Sequence, residues 1–260
     1  MILALLLWAG AGSDATALLA QAQDAFRQGD WGRADRAFTR AAESASLLDD
    51  RSTALEARLG RMDLRLLSRE PDSARGQLPP RPDPGLSAED SSLWCAAKAR
   101  LLSATGSDSA RPYADSALSL ARRGSMRSLR DWAYLVRARI RLLAGDLAGA
   151  EGDLDEVKAS DSPVLPSRLD LLRARTALAR HDAEGARRFA VKAWESAQKR
   201  GDVPAVLEIL PVRADGETQC RDPRSARASW TALQVLASST GLPRHEAQAR
   251  EALSRLAAPE

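Results

Sequence analysis

The side chains on which catalysis and cofactor binding most often depend are scarce in this chain. There are two histidines and two cysteines in 260 residues. His181 stands where other turns of the chain carry glycine, and His245 sits in the first turn of a final helix among charged residues. Neither has a Cys, Asp or Glu at the spacing that ligates a metal. Asp153, Asp155 and Glu156 are close in sequence but lack the glycine-turned loop that calcium requires, and their place in the repeat reads as a solvated helix face. No phosphate-binding glycine loop and no nucleophile elbow occurs. The expectation is a protein that is not an enzyme and holds no metal and no cofactor.

Lysine is scarce too: 34 of the 38 cationic side chains are arginine. The net charge is +3 and the pI about 9.2. The 35 acids are interspersed with the bases, so no continuous basic stripe of the kind that tracks phosphates forms, and nucleic acid is not an expected partner. Long apolar runs are missing. The opening MILALLLWAGAGSDA falls short of the roughly 20 apolar residues that span a bilayer, so no transmembrane span is expected. It suits the core of a secretory signal peptide over residues 1–15, with Ala9-Gly10-Ala11 as cleavage site, although no Lys or Arg precedes it. An exported, periplasmic protein is expected, with a cytoplasmic location as the alternative. No cysteine stands where a lipid anchor would need one.

What the chain does have is a repeated unit. In Ala17–Ala41, ALLAQAQDAFRQGDWGRADRAFTRA, one helix carries Leu18, Ala22 and Phe26, and a second carries Ala34, Phe38 and Ala41. Spacings of three and four put each set on one helical face, and the chain folds back at Gly29-Asp30. The second-helix triplet recurs as Ala114, Leu118, Ala121; Ala150, Leu154, Val157; Ala186, Ala190, Ala193; and Ala226, Trp230, Leu233. A truncated copy, Ala74 and Leu78, ends at Pro79-Pro80. The leading alanines 34, 74, 114, 150, 186 and 226 are separated by steps of 40, 40, 36, 36 and 40. Four residues ahead of them stand Asp30, Glu70, Asp146, Asp182 and Asp222, expected N-caps, with Ala110 breaking the series. Pro71 and Pro223 follow two of these at the first helical position.

This pattern resembles the tetratricopeptide repeat: a small residue in the first helix, a Gly-Asp-aromatic turn, then Ala, a large residue and Ala in the second. The resemblance covers about residues 16–240. It implies an all-α, right-handed α-α solenoid of six helix hairpins near 16–46, 51–80, 87–123, 127–160, 164–200 and 203–240. Together these form a repeat domain over 16–242, and a capping helix over 243–257 ends it, its outer face supplied by Gln248, Glu251 and Arg255. The second unit departs from the pattern in Met62 at the small position and in its broken second helix. The third has a longer turn from Gly106 to Arg111, and the sixth has Pro211 inside its first helix, which is expected to kink or end it, leaving RADGETQC as a loop. Units four and five, Ser128 to Arg200, are expected to be the most regular. The Pro-rich stretch from Glu70 to Asp90 reads as a surface connection. Cys95 suits a buried apolar position and Cys220 a loop; units three and six should stand too far apart for the two to bridge.

The resemblance also implies a role: a non-catalytic scaffold or adaptor whose first helices line a groove for an extended partner segment, sometimes clasping a terminal carboxylate with basic side chains. Carried over by register, the residues after the small alanines of units four and five are Arg139 and Arg175, and Lys98 or Arg100 lies near the equivalent place in unit three. Trp132, Arg137 and Arg168 are near neighbours on the same helices. Such a row would favour a protein or peptide partner that is acidic or has a free C-terminal carboxylate. The alternatives are an architectural, self-associating envelope component and a cytosolic regulatory domain.

Overall fold

The computed structural model describes residues 14–158 and 165–257; the proposed signal segment lies almost wholly outside them. Among the described residues there are thirteen helices and no strand. They fall into two compact units, Met1–Leu165 and Pro166–Glu260. The first holds α1 (Asp14–Arg27), α2 (Trp31–Leu47), α3 (Arg51–Leu67), α4 (Pro71–Arg75), α5 (Ala88–Ala104), α6 (Ala110–Arg123), α7 (Arg127–Leu143) and α8 (Leu147–Glu156). The second holds α9 (Leu165–Ala179), α10 (Ala183–Lys199), α11 (Val203–Gln219), α12 (Pro223–Ser239) and α13 (Pro243–Ala257).

Within the first unit α1–α2, α5–α6 and α7–α8 pack as hairpins, and α1, α3, α5 and α7 also touch in succession. The odd-numbered first helices therefore form one layer and the second helices the other, the packing of an α-helical solenoid. In the second unit α10, α11, α12 and α13 each pack on the next, and Leu171 and Ala174 of α9 share a core with Ala190, Ala193 and Ala197 of α10 and Ile209 of α11.

The alanine period has a direct physical cause. All six leading alanines have no exposed surface, because each sits where a second helix touches a first one and no larger side chain fits. Gly216 of α11 shows how close this approach is: a Cβ there would come within 3.2 Å of the Arg187 amide nitrogen and 3.5 Å of Ala186 Cβ. Phe38 of α2 is likewise seated over Gly60 of α3, where a Cβ would lie 2.3 Å from the ring.

The turns reuse one acidic residue twice. The amide of Asp30 donates to Ala25 O at 2.9 Å and closes α1, while its carboxylate accepts from Arg33 N at 3.0 Å and opens α2. Asp146, Asp182 and Asp222 act in the same way, accepting from Gly149, Gly185 and Ser225. So do Asp50 and Asp202 at the starts of first helices, accepting from Thr53 and Ala205. Glu70 occupies the cap position without a side-chain bond; its extra methylene carries the carboxylate past the amides that aspartate reaches. The preceding residue must take a left-handed backbone. Gly29 and Gly145 do so at φ +81° and +78°, and His181 does so at +61°, in the glycine-equivalent place expected of it.

Three expectations need correction. Pro211 does not end its helix: α11 continues for 17 residues through most of RADGETQC to Gln219. Proline removes one amide donor, and burial of Leu207, Ile209, Leu210, Val212 and Ala214 between neighbouring helices holds the remainder in place. Unit four is not fully regular, because α8 has only ten residues and Val157, though buried, lies beyond it in extended backbone. Asp153 is not on a solvated face but 2% exposed, held by arginines of α7. His245 stands in the first turn of α13 as expected, and its side chain is buried.

Elsewhere the expected departures are present. α4 is five residues long, Leu78 is buried after it, and residues 80–85 are exposed. Trp94 Nε1 donates to Pro79 O and Arg51 to Asp83, fastening this connection to α5 and α3. Cys95 is a buried and Cys220 a half-buried free thiol. On α13, Glu251 and Arg255 pair in solvent, while Gln248 is half-buried.

Candidate functional site

The first helices end seven residues before each leading alanine, except α5, which ends ten before its own. Counted through this offset, two positions one heptad apart recur on every first helix. In the first unit the N-terminal one is Thr16, Glu56, Leu93 and Trp132, and the C-terminal one is Gln23, Asp63, Arg100 and Arg139. In the second unit they are Arg168 and Glu208, then Arg175 and Asp215. These rows contain four of the five residues expected to bind a partner, together with carboxylates that balance them.

In the first unit Arg100 of α5 pairs with Asp63 of α3 at 2.5 Å, with side chains 15% and 4% exposed. Its guanidinium also lies over the Trp132 ring of α7, 5.7 Å from the centroid. One arginine thus ties three successive first helices together. Lys98 lies outside the row, half-buried on α5 with its ammonium 6.0 Å from the Trp94 ring. Arg139 is half-buried on α7.

Arg137 faces the other layer. It grips Asp153 of α8 through Nε and Nη2, at 3.0 and 2.6 Å, and reaches Asp115 of α6 at 3.2 Å. Hydrogen bonding to Asp153, opposed in part by burial, raises its pKa. Arg141, one turn further on, pairs with Asp153 at 2.9 Å. This is a clamp between helices, not a partner-binding position.

In the second unit Glu208 of α11 meets both arginines of α9: Arg168 Nη1 at 3.1 Å and Arg175 Nη2 at 3.8 Å. Arg168 is buried. Burial lowers the pKa of Arg175; Glu208 opposes the shift and Arg168 adds to it. Asp215, the other acid of the row, is raised by burial and held down by the charge of Arg255 on α13.

Glu56 was missed by the sequence reading. It is part-buried on α3, and burial, followed by the charges of Asp90 and Asp50, raises its pKa to about 8. Asp90 is itself fixed, accepting from Ser52 and Ser87 hydroxyls at 2.9 Å each. The signal that finds Glu56, Asp63, Glu208 and Asp215 is the same repeat register, applied to units two and six as well as to the arginine-bearing ones.

A separate groove of about 720 Å³ lies in the second unit where the first turns of α10 and α12 flank α11. Its bases, among them Arg187, Arg188 and Lys192, are matched by acids already engaged: Asp182 and Asp222 cap helices, and Glu217 accepts from Arg213 and the Ser229 hydroxyl. Among the described residues no group of three or more His, Cys, Asp or Glu is placed to hold a metal ion, and no helix is long and apolar enough to cross a membrane. Compared with known proteins, the chain matches no protein-family model and no curated protein.

Proposed function

We propose that this protein is a non-catalytic interaction scaffold that binds an extended segment of a partner protein along its first helices. The observation that supports this reading is the pair of side-chain rows: within the first unit each repeat contributes equivalent positions to one layer of first helices, of which Thr16, Gln23, Glu56, Arg100 and Arg139 are part-exposed, so a strand of partner would meet side chains at intervals along that unit. Lys98 and Arg139 are the part-exposed cations near the row of the first unit, beside Trp132 with its stacked Arg100. A segment with acidic side chains or a free C-terminal carboxylate fits them.

Affinity capture from a cell extract tests this, comparing wild type with Lys98→Glu, Arg139→Glu. Arg175 is left intact, since a carboxylate there would face Glu208 within the fold. The expected result is a partner lost in the variant at unchanged helicity and melting temperature. The same partners on both proteins would refute the first-helix site and direct the search to the 70–90 connection or to self-association. Export is proposed on the composition of residues 1–15; N-terminal sequencing of the mature chain tests it, and an unprocessed cytosolic chain would favour the regulatory alternative.

A further inference from the structure

We propose that the groove of about 720 Å³ between α10 and α12 binds a small phosphomonoester, its phosphate held by Arg188 and Lys192 of α10. The walls of this groove are second helices, and no residue of the two first-helix rows lines it. The backbone amides at the start of each wall are already taken: Asp182 accepts from Gly185 N at 2.9 Å, and Asp222 from Ser225 N at 3.1 Å. A ligand would therefore be held by side chains and not by a helix start.

The four bases of the groove equal its four acids in number, but they are not equally engaged. Glu217 is buried and accepts from Arg213 Nε at 2.8 Å and from the Ser229 hydroxyl at 2.6 Å, while Arg213 also stacks on Trp194, 4.8 Å from the ring centroid. Arg187 has a surface pair with Glu184, their side chains 46% and 73% exposed, and so wet a pair contributes little. Arg188 is exposed and forms no ion pair among the described residues; its guanidinium rests on the Phe189 ring, 5.0 Å from the centroid. Lys192 is exposed and forms none either, its charge acting on Asp170 of α9 from a distance. Four residues apart, Arg188 and Lys192 share one face of α10, about 6 Å from each other. Donors carried at three positions of one helix reach an anion from different directions, which suits a tetrahedral dianion with three acceptor oxygens better than a planar carboxylate. The groove is larger than a bare phosphate needs and lies in the range of small-molecule sites, about 300–1,000 Å³, so an organic body fits beside Val191.

The test is isothermal titration calorimetry of the full chain at neutral pH and low salt with three probes: inorganic phosphate, AMP and adenosine. Wild type is compared with Arg188→Gln, with Lys192→Gln, and with Lys199→Gln, which removes an exposed cation of α10 outside the groove. AMP should bind more tightly than inorganic phosphate and raise the melting temperature, and adenosine should not bind. Each groove variant should weaken AMP about tenfold, as loss of one charged hydrogen bond does, and Lys199→Gln should leave it unchanged. Absence of binding by both phosphates, or binding of adenosine as tight as that of AMP, overturns the site. An equal loss in Lys199→Gln overturns it too, because diffuse charge would then explain the binding. Inorganic phosphate binding as tightly as AMP overturns the choice of a phosphomonoester. Both groove side chains are exposed, so the variants should melt with wild type, and should one fail to fold the other decides alone. Partner loss in Lys98→Glu, Arg139→Glu is read independently, so this inference can fail while the scaffold reading stands.

Discussion

Glu56→Gln is the substitution whose effect the structure defines most closely. Glu56 is near Asp50, which caps its own helix, and Asp90, which is bonded to the capping Ser87 of α5, and burial followed by these two charges lifts its pKa from 4.5 to about 8. The folded chain therefore keeps a proton that the unfolded chain releases at 4.5. The stability tied to that proton is fully present below pH 4.5, declines as pH rises, and is lost once pH passes the folded value near 8. At pH 7 the loss is about 3 kcal/mol, and over the full interval it approaches about 5 kcal/mol, at about 1.4 kcal/mol per pH unit. Glutamine has the shape of the protonated acid and no charge to release. Urea unfolding of wild type and Glu56→Gln at pH 5, 7 and 9 should show midpoints nearly together at pH 5 and the variant progressively more stable above it. A stability difference that stays constant across this range would refute the argument, because it would mean that Glu56 titrates alike in both states.

Gly60→Ala should destabilise by about 1–3 kcal/mol in a chemical melt, because its methyl meets the ring of fully buried Phe38, and Phe38→Leu in the same chain should restore part of the loss. Asp153→Ala should cost about 3 kcal/mol, since it strips the main carboxylate partner from both Arg137 and Arg141; a loss under about 0.5 kcal/mol would show the clamp to be idle. His181→Gly should stabilise by about 1 kcal/mol, read as a raised melting temperature, because glycine adopts the left-handed turn at no steric cost.

The helix pairs were legible in the sequence because their cause is local and repeated. A helix-to-helix contact that admits only alanine leaves an alanine every 36 to 40 residues, and a turn that uses one aspartate to close and open two helices leaves that aspartate four residues earlier. Pro211 misled because its local penalty is visible in sequence while the burial that overrides it, along α11, is not. Asp153 misled for the related reason that its arginine partners are carried by the previous helix. The first-helix arginines were found, but Arg100, Arg168 and Arg175 are met by acids of the same chain, and those acids become visible only when the register is carried through units two and six. Glu56 stands in that register, yet its pKa is raised first by burial and then by the charge of Asp90 on a different helix, surroundings that no spacing within α3 reveals.

The measurement closest to the centre of this account is a double-mutant cycle on Asp63 and Arg100, which the repeat register places on successive first helices and the structure pairs at 2.5 Å. Denaturation of the two single variants, Asp63→Ala and Arg100→Ala, and of the double variant should give a coupling energy of about 1–3 kcal/mol. A coupling indistinguishable from zero would contradict the register, and with it the assignment of the two side-chain rows to one face.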